Sequence, residues 1–217
     1  IMPNAFNNVK EFTDNDFSRN FISYKYYWNS GRVEVKSAYF HERQNYFLES
    51  YTSNGNPVSQ MNTLNKSDVF RQIADLQQDL FKSWKLYAKI QWDSENVTST
   101  DYDNDYDYDL GRKKRNILSF YAVVDGNIYR DLDLRLTLRN DIVSRDVTPV
   151  ASQRNEIAVQ SNGFKSAGFF PTATLVYRMP FVKGLSFNAG YSHNYRNPTL
   201  NDLYWNPGGN ENLKGED

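Results

Sequence analysis

Hydrophobic and polar residues alternate along most of this chain with a period of two. In residues 131–141, four leucines occupy every second position, and Asp133 and Arg135 lie between them. Successive side chains of a strand point to opposite faces, so this segment predicts a β-strand with one apolar and one polar face. Residues 83–93 and 184–196 repeat the pattern as clearly.

Weaker copies of the pattern bring the number of predicted strands to eight. They cover residues 17–28, 32–46, 67–81, 116–128 and 168–178. Residues 67–84 also fit an amphipathic helix, because Val69, Ile73, Leu76 and Leu80 are spaced by three and four and Ser67 could serve as an N-cap. The chain is therefore predicted to be all-β, with a helix over residues 67–84 as the competing interpretation.

The predicted connections alternate in length. Short ones cover residues 29–32, 81–83, 126–131 and 179–184, whereas long ones cover residues 52–66, 96–114 and 144–162. A strict short–long order places all tight turns at one end of the strands. This order is typical of an antiparallel up-and-down transmembrane β-barrel.

Aromatic residues and charges favour the membrane barrel over a soluble alternative. Aromatics flank the short turns at Tyr26, Tyr27, Trp28, Phe81, Trp84, Tyr129, Tyr177 and Phe181. Membrane barrels carry such girdles at the level of the lipid headgroups. A soluble β-sandwich or lipocalin-like barrel explains the alternation equally well. It does not explain the charges on the other face, at Glu34, Lys36, Lys85, Lys89, Asp133, Arg135 and Arg139, which a wet barrel lumen would accommodate.

Composition narrows the function classes. The 217 residues carry a formal net charge of −1, which argues against a general nucleic-acid binder. There is no cysteine, so disulfides and thiolate metal sites are excluded. No run of about 18 apolar residues predicts a membrane helix, although membrane strands bury only alternate residues in lipid. The first residues lack the features of a signal peptide.

Two runs in the last fifty residues stand apart from the strand pattern. The first contains Arg196, Pro198, Thr199, Leu200, Asp202, Leu203 and Tyr204, and the second contains Asn210, Asn212 and Leu213. With these runs, the last fifty residues resemble the barrel of a TonB-dependent outer-membrane receptor, although Glu211 and Gly215 stand where prolines are usual in that family.

The resemblance implies that residues 1–217 are a partial barrel of about eight strands, since barrels of the family have about 22 strands around a plug. We expect no plug domain and no TonB box in this chain. The resemblance also implies an outer-membrane receptor of a Gram-negative bacterium rather than an enzyme. It would bind a scarce nutrient, such as a siderophore, a cobalamin-like or another large ligand, and import it with TonB energy. The alternatives are a soluble or surface β-sandwich carbohydrate-binding module and an outer-membrane enzyme, although no nucleophile–base–acid set is recognisable.

An acidic segment offers a candidate cation site. Aspartates occupy every second position, at Asp101, Asp103, Asp105, Asp107 and Asp109. Calcium takes several carboxylate oxygens, and some cobalamin receptors of the family bind it in outside loops. The alternative is a solvated acidic loop. The following basic run, Arg112, Lys113, Lys114 and Arg115, would pair with these aspartates or touch lipopolysaccharide phosphates at the outer rim.

Large aromatic side chains of the loops are the candidate ligand-binding residues, because they give contact area at low entropy cost. They are Tyr102, Tyr106, Tyr108, Tyr204 and Trp205. Haem receptors of the family that the chain resembles carry a histidine between the two runs. Here no histidine lies between Pro198 and Asn210, so the resemblance argues against haem as the ligand.

Local features also predict how the chain continues after the eighth strand. His41 and His193 fall on the apolar parity of their strands and are predicted to face lipid or the membrane interface. Residues 196–205 are predicted to leave the eighth strand and fold over the barrel mouth, because Pro198 cannot donate a ladder hydrogen bond.

Overall fold

Eight antiparallel strands form one sheet in this computed structural model, which describes residues 9–51, 57–81, 83–102, 108–148, 160–199, 203 and 213. The strands are β1 (Val9–Trp28), β2 (Gly31–Tyr51), β3 (Pro57–Phe81), β4 (Trp84–Asp101), β5 (Tyr108–Tyr129), β6 (Leu132–Thr148), β7 (Gln160–Arg178) and β8 (Ser186–Ser192). Neighbours in sequence are neighbours in the sheet, and β1 and β8 form its two edges. The sheet is not closed, and the predicted up-and-down order is confirmed.

The helical interpretation of residues 67–84 is wrong. Up to Phe81 these residues belong to β3, which pairs with β2 on one side and with β4 on the other. Val69 and Ile73 lie on one face of β3 and Leu76 on the other, so their spacing does not mark a helix stripe. Pairing on both sides satisfies the backbone hydrogen bonds that a helix would have made internally.

Most strands are longer than the sequence predicts. Seven of them have 17–25 residues, and only β8 is short, with 7. Much of the predicted long connections, residues 52–66, 96–114 and 144–162, is therefore strand. About 10 residues suffice to cross a bilayer, so these strands extend well beyond it at the long-loop end.

The register gathers alternate residues of all eight strands into two faces. The apolar face includes Val33, Val35, Ala74, Leu76, Leu86, Ala88, Ile90, Ala122, Val124, Leu134, Leu136, Leu138, Ala173, Leu175 and Ala189. The polar face includes Glu34, Lys36, Arg71, Asp75, Lys85, Lys89, Asp93, Asp133, Arg135, Arg139, Thr174 and Asn188. The predicted segregation of leucines from charges is confirmed at these positions of β2–β8, whereas nearer the long loops charged residues such as Lys66, Asp68 and Arg112 also lie on the apolar parity.

Two groups of aromatic side chains bound the apolar face. The lower group, beside the short turns, consists of Tyr26, Trp28, Trp84, Tyr177 and Phe187, and the upper group of Tyr39, Phe70, Trp92, Phe120, Phe169 and Tyr191. Phe70 and Trp92 meet edge to face with ring centroids 5.9 Å apart. Positions 84 to 92 of β4 span about 26 Å along the strand, which matches the apolar band of a membrane barrel.

Two glycines make room for the lower aromatic group. Trp28 is the register partner of Gly31, and Trp84 is the partner of Gly126. A Cβ atom at either glycine would collide with the indole ring opposite. Both tryptophans therefore lie flat over a neighbouring strand.

Buried side chains gather on the polar face rather than between two layers. They include Glu34, Thr63, Asp93, Val97, Ser99, Lys113, Arg115, Val123, Asp141 and Phe170. The apolar face, in contrast, exposes large hydrophobic residues in every strand. Among the described residues, no helix is long and apolar enough to cross a membrane.

Candidate functional site

The polar face carries ion pairs between neighbouring strands. Glu34 of β2 and Asp75 of β3 are register partners, and two carboxylates facing each other would repel. Lys36 lies between them, with its Nζ 3.2 Å from Glu34 and 3.1 Å from Asp75. On the other side of Glu34, Lys25 approaches to 3.5 Å. The alternating signs turn a repulsive pair into a network across three strands.

A forked arginine–carboxylate pair continues this network on β3 and β4. Arg71 donates from Nε and Nη2 to the two oxygens of Asp93, at 2.7 and 2.9 Å. Asp93 is buried and also accepts a bond of 2.8 Å from Gln91. The guanidinium of Arg71 lies 5.7 Å from the Phe40 ring centroid. The two parallel hydrogen bonds to Asp93 fix the orientation of this guanidinium, and the Phe40 ring adds a cation–π contact.

Arg115 of β5 connects the polar face to the segment that follows β8. Its side chain is only 5% exposed and donates from Nε to Glu95 at 2.7 Å. A second donor, Nη1, bonds to the backbone carbonyl of Pro198. A buried guanidinium needs such partners, because its charge cannot be removed by deprotonation.

The chain after β8 lies against the polar face. The Tyr195 ring stacks on Phe170 with centroids 4.9 Å apart and planes 3° apart. Leu203 is fully buried, and its amide donates to the Thr199 carbonyl at 3.3 Å. The prediction that this segment leaves the strand is therefore confirmed within the described residues.

The predicted lipid-facing position of His193 is wrong. β8 ends at Ser192, so the parity of the strand no longer sets the direction of the next side chain. The His193 ring meets Phe170 edge to face at 5.5 Å, and Phe170 lies on the polar face opposite Arg139. His41 is on the apolar face as predicted, but its Nδ1 lies 2.8 Å from Asp68.

Two cavities lined by described residues open on the polar face. One of about 340 Å³ is lined by Phe17, Ser18, Arg19, Phe40, His41, Glu42, Val69, Arg71 and Glu95. The other, of about 270 Å³, is lined by Val143, Arg145, Lys165, Ser166, Ala167, Tyr195 and Asn197. Both mix cationic, polar and aromatic groups, which suits a polar ligand with a planar part.

Most of the aromatic and acidic residues predicted to form a site lie outside the described residues. These are Asp103, Asp105, Asp107, Tyr106, Tyr204 and Trp205. Asp101 and Tyr108 are register partners where β4 ends and β5 begins, and Asp109 pairs with Thr100, so the acidic segment meets the sheet at the end opposite the short turns. Tyr102 is exposed, and its amide donates to Asn62 at 2.7 Å.

The predicted basic run does not act as a unit. Residues 112–115 lie in β5, so Arg112 and Lys114 are exposed on the apolar parity, whereas Lys113 and Arg115 are buried on the polar face. Of the four, Arg115 is paired with Glu95 of β4, which is not one of the five aspartates of the acidic segment.

Sequence reasoning missed the pairs themselves. Asp75, Asp93 and Glu95 drew no attention, and nothing singled out Arg71. These four residues share one feature that the sequence shows: all of them occupy the alternate positions of β3 and β4 that belong to the polar face. Which charge meets which depends on register, and a single strand does not reveal it.

An eight-stranded up-and-down sheet with lipid-sized aromatic spacing and a charged opposite face defines a piece of a membrane-type barrel. The family model of the TonB-dependent receptor-like β-barrel matches residues 2–217, so the chain belongs to this family. No curated protein sequence matches the chain.

The solved structures that share the fold include two forms of one receptor. They are the open and the closed form of the ferric-catecholate import receptor Fiu from E. coli K12, with TM-scores of 0.55 and 0.52. Each is 11% identical to this chain and covers 84% of it. The aligned part is 36% and 33% of those chains, so this chain spans about a third of their length. Identity this low shows the fold alone.

Proposed function

We propose that this chain forms part of the barrel wall of an outer-membrane receptor that binds a scarce nutrient and imports it with energy from TonB. The apolar face, between its two aromatic groups, would contact lipid. The polar face would line the lumen. The observation that carries the proposal is the division of β2–β8, between the two aromatic groups, into an apolar face and a mostly polar face.

The ligand would be large and polar, and a ferric siderophore is the first candidate. Family membership supports transport, and the cavities on the polar face offer arginines beside aromatic rings. Tyr102, Tyr106, Tyr108, Tyr204 and Trp205 remain the proposed loop contacts. Transport of this kind needs binding and release rather than catalysis, so no catalytic set is assigned.

Uptake by the full-length receptor tests this function. The receptor is expressed in a Gram-negative host without its own catecholate and cobalamin receptors, with TonB present or deleted. Cells are given an iron-labelled ferric catecholate or a cobalt-labelled cobalamin. We expect receptor-dependent uptake of one of these only when TonB is present. Uptake that is unchanged by deleting TonB would contradict the proposed energy source, and a receptor found outside the outer membrane would contradict the proposed location.

One variant and one chelation experiment refine the binding site. Replacing Tyr204 and Trp205 together by Ala should abolish ligand binding while barrel assembly stays normal. Unchanged binding would remove this pair from the site. If calcium binds at Asp101, Asp103, Asp105, Asp107 and Asp109, the receptor should bind its ligand more weakly in the presence of a chelator, and added calcium should restore the affinity. An affinity unchanged by chelator would support the alternative of a solvated acidic loop.

A further inference from the structure

One cavity of the polar face contains two cations that have no assigned role. Arg145 of β6 and Lys165 of β7 line the cavity of about 270 Å³, together with Tyr195 and Asn197 of the segment that follows β8. Arg145 is partly buried and Lys165 is exposed. Four polar side chains from three parts of the chain thus surround one space, and two of them are positively charged.

A bulge in β7 brings Lys165 to the polar face. The register between β6 and β7 shifts at Ala167, which has no partner on β6. Counting back from Phe170, which lies on the polar face, a regular strand would place Lys165 on the apolar face. The extra residue reverses this order, so Lys165 becomes the register partner of Val143 on the polar face.

The bulge is held by hydrogen bonds and by a glycine. Asn140 donates from Nδ2 to the Gly168 carbonyl at 2.7 Å and to Ser166 Oγ at 2.8 Å. The φ angle of Gly168 is 121°, a backbone conformation that residues with a Cβ atom rarely adopt. A bulge can redirect a side chain, and this one places a second cation beside Arg145.

Two contacts fix the opposite side of the cavity. The Tyr195 ring stacks on Phe170, and the Pro198 carbonyl accepts a hydrogen bond from Arg115. Asn197 lies between these two anchored residues in the sequence. The polar groups of the segment after β8 are therefore in place before a ligand arrives, which lowers the entropy cost of binding.

Among the residues that the structure describes, the lining of the cavity contains no carboxylate. Arg145 is the register partner of Arg115, whose charge is already neutralised by Glu95. Asp141, on the same face of β6, is bound by a neighbouring arginine. Arg145 and Lys165 form no ion pair within this part of the chain. Two uncompensated cations in one cavity favour an anionic ligand.

The cavity lies towards the long loops. Asn140 is the register partner of Phe169 in the upper aromatic group, and Val143 and Arg145 follow it three and five positions later. These separations correspond to about 10 and 16 Å along a strand. A nutrient that enters the lumen from outside would meet the cavity before it reaches the level of the membrane.

We propose that this cavity binds carboxylate groups of the imported nutrient, and that the nutrient is a ferric polycarboxylate chelate. This inference rests on the proposed function, because it needs the polar face to line the lumen. A guanidinium group binds a carboxylate through two parallel hydrogen bonds, and an ammonium group adds a compact charge. Arg145 and Lys165 would together neutralise two carboxylates.

The size of the cavity also favours this class of ligand. Pockets that enclose a drug-sized ligand measure about 300–1,000 Å³, so a cavity of about 270 Å³ would admit one limb of a larger chelate. A polycarboxylate chelate carries carboxylate oxygens on its surface. A tris-catecholate uses its oxygens to hold the iron and presents mainly the edges of its rings, which need no pair of cations.

Binding to the purified full-length receptor in detergent tests the site. The probes are ferric citrate, a ferric tris-catecholate and inorganic phosphate, each titrated by calorimetry. The site variant combines Arg145→Gln with Lys165→Gln. The control variant combines Lys85→Gln with Arg135→Gln and so removes the same charge from exposed positions of the polar face. Arg135 lies ten positions from Arg145, about 33 Å along β6. Heat-modifiable gel mobility confirms that each protein is folded.

We expect the site variant to bind ferric citrate at least about tenfold more weakly, because two charge-assisted hydrogen bonds to the ligand are lost. The control variant should bind it like the unchanged receptor. The inference is overturned if the site variant retains the affinity for ferric citrate, if the control variant loses as much, or if the unchanged receptor prefers the tris-catecholate. Binding of phosphate without binding of ferric citrate would indicate a free-anion site and also overturn it.

The uptake assay with TonB present or deleted, extended by iron-labelled ferric citrate, separates this inference from the proposed function. A receptor that imports a ferric catecholate or a cobalamin with TonB, but not ferric citrate, overturns only the carboxylate site. A receptor without TonB-dependent uptake of any of the three contradicts the proposed function.

Discussion

The two faces of β6 have opposite chemical character, one apolar and the other ionic. On one side Leu134, Leu136 and Leu138 form a stripe, and the last two are 45% and 46% exposed. On the other side Arg139 binds the fully buried Asp141 at 2.6 Å, and Arg135 reaches Asp125 at 3.3 Å. One backbone thus presents a hydrocarbon surface and an ionic surface a few ångströms apart.

This contrast identifies the solvent that each face requires. Exposed large hydrophobic side chains on eight neighbouring strands would be an aggregation hazard in water. Charges packed between two sheets would carry a large desolvation penalty. Lipid outside and water inside remove both problems, so each of the following changes is designed to weaken one face while sparing the other.

Loss of the Arg115 side chain should have the largest effect. Arg115→Ala leaves Glu95 without its partner and frees the Pro198 carbonyl, which should destabilise the folded barrel by about 3 kcal/mol. Urea unfolding of the full-length receptor in lipid vesicles measures this. Arg115→Lys keeps the charge and should recover part of the loss. Equal stability of Arg115→Ala and the unchanged protein would show that the segment after β8 is not held by this contact.

An adjacent pair on β7 compares the two faces directly. Leu175 lies on the apolar face between Leu134 and Ala189, and Val176 lies on the polar face between Asp133 and Asn188. Leu175→Arg should cost about 2 kcal/mol and lower the yield of assembled receptor, whereas Val176→Arg should be tolerated beside Asp133. Heat-modifiable mobility of outer-membrane fractions reports assembly. If Val176→Arg lowered assembly more than Leu175→Arg, the assignment of the lipid and lumen faces would be reversed.

Glycines test the lower aromatic group. A methyl group at Gly126 would collide with Trp84, so Gly126→Ala should destabilise the barrel by about 1 kcal/mol and shift Trp fluorescence. Gly190→Ala is the matched control, because its Cβ would lie 3.4 Å from the nearest atom, the Ala173 carbonyl oxygen, and meet no ring. Equal effects of the two substitutions would show that Trp84 does not depend on the glycine.

An exposed ion pair should have the smallest effect. Arg135 and Asp125 are 57% and 36% exposed in their side chains, so solvent screens their attraction. Arg135→Gln should change the free energy of unfolding by less than about 1 kcal/mol. A loss of unfolding free energy close to that expected for Arg115→Ala would mean that solvent screens this ion pair less than the exposure of its side chains indicates.

The sequence predicts the strands best where lipid meets one face. Between the aromatic groups, apolar and polar residues must alternate, so residues 131–141 and 83–93 revealed their strands clearly. Further out, water wets both faces and no alternation is needed. For this reason residues 57–66, which belong to β3, were predicted as loop.

The candidate site was harder to predict because it depends on register. The charges of Glu34 and Lys36 were assigned to the lumen, but their meeting with Asp75 requires the pairing of β2 with β3. The basic run was treated as one patch because the extent of β5 was not known. A run of four cations within a strand is two pairs facing opposite ways.

Spin labelling of β6 tests the central claim most directly. The chain has no cysteine, so single cysteines at positions 133 to 138 can be labelled without interference from this segment. The labelled full-length receptor is reconstituted in lipid, and collision rates with oxygen and with a water-soluble nickel complex are measured by EPR. We expect a period of two, with positions 134, 136 and 138 open to oxygen and positions 133, 135 and 137 open to the nickel complex. Collision rates without this alternation, or with the opposite phase, would contradict the account.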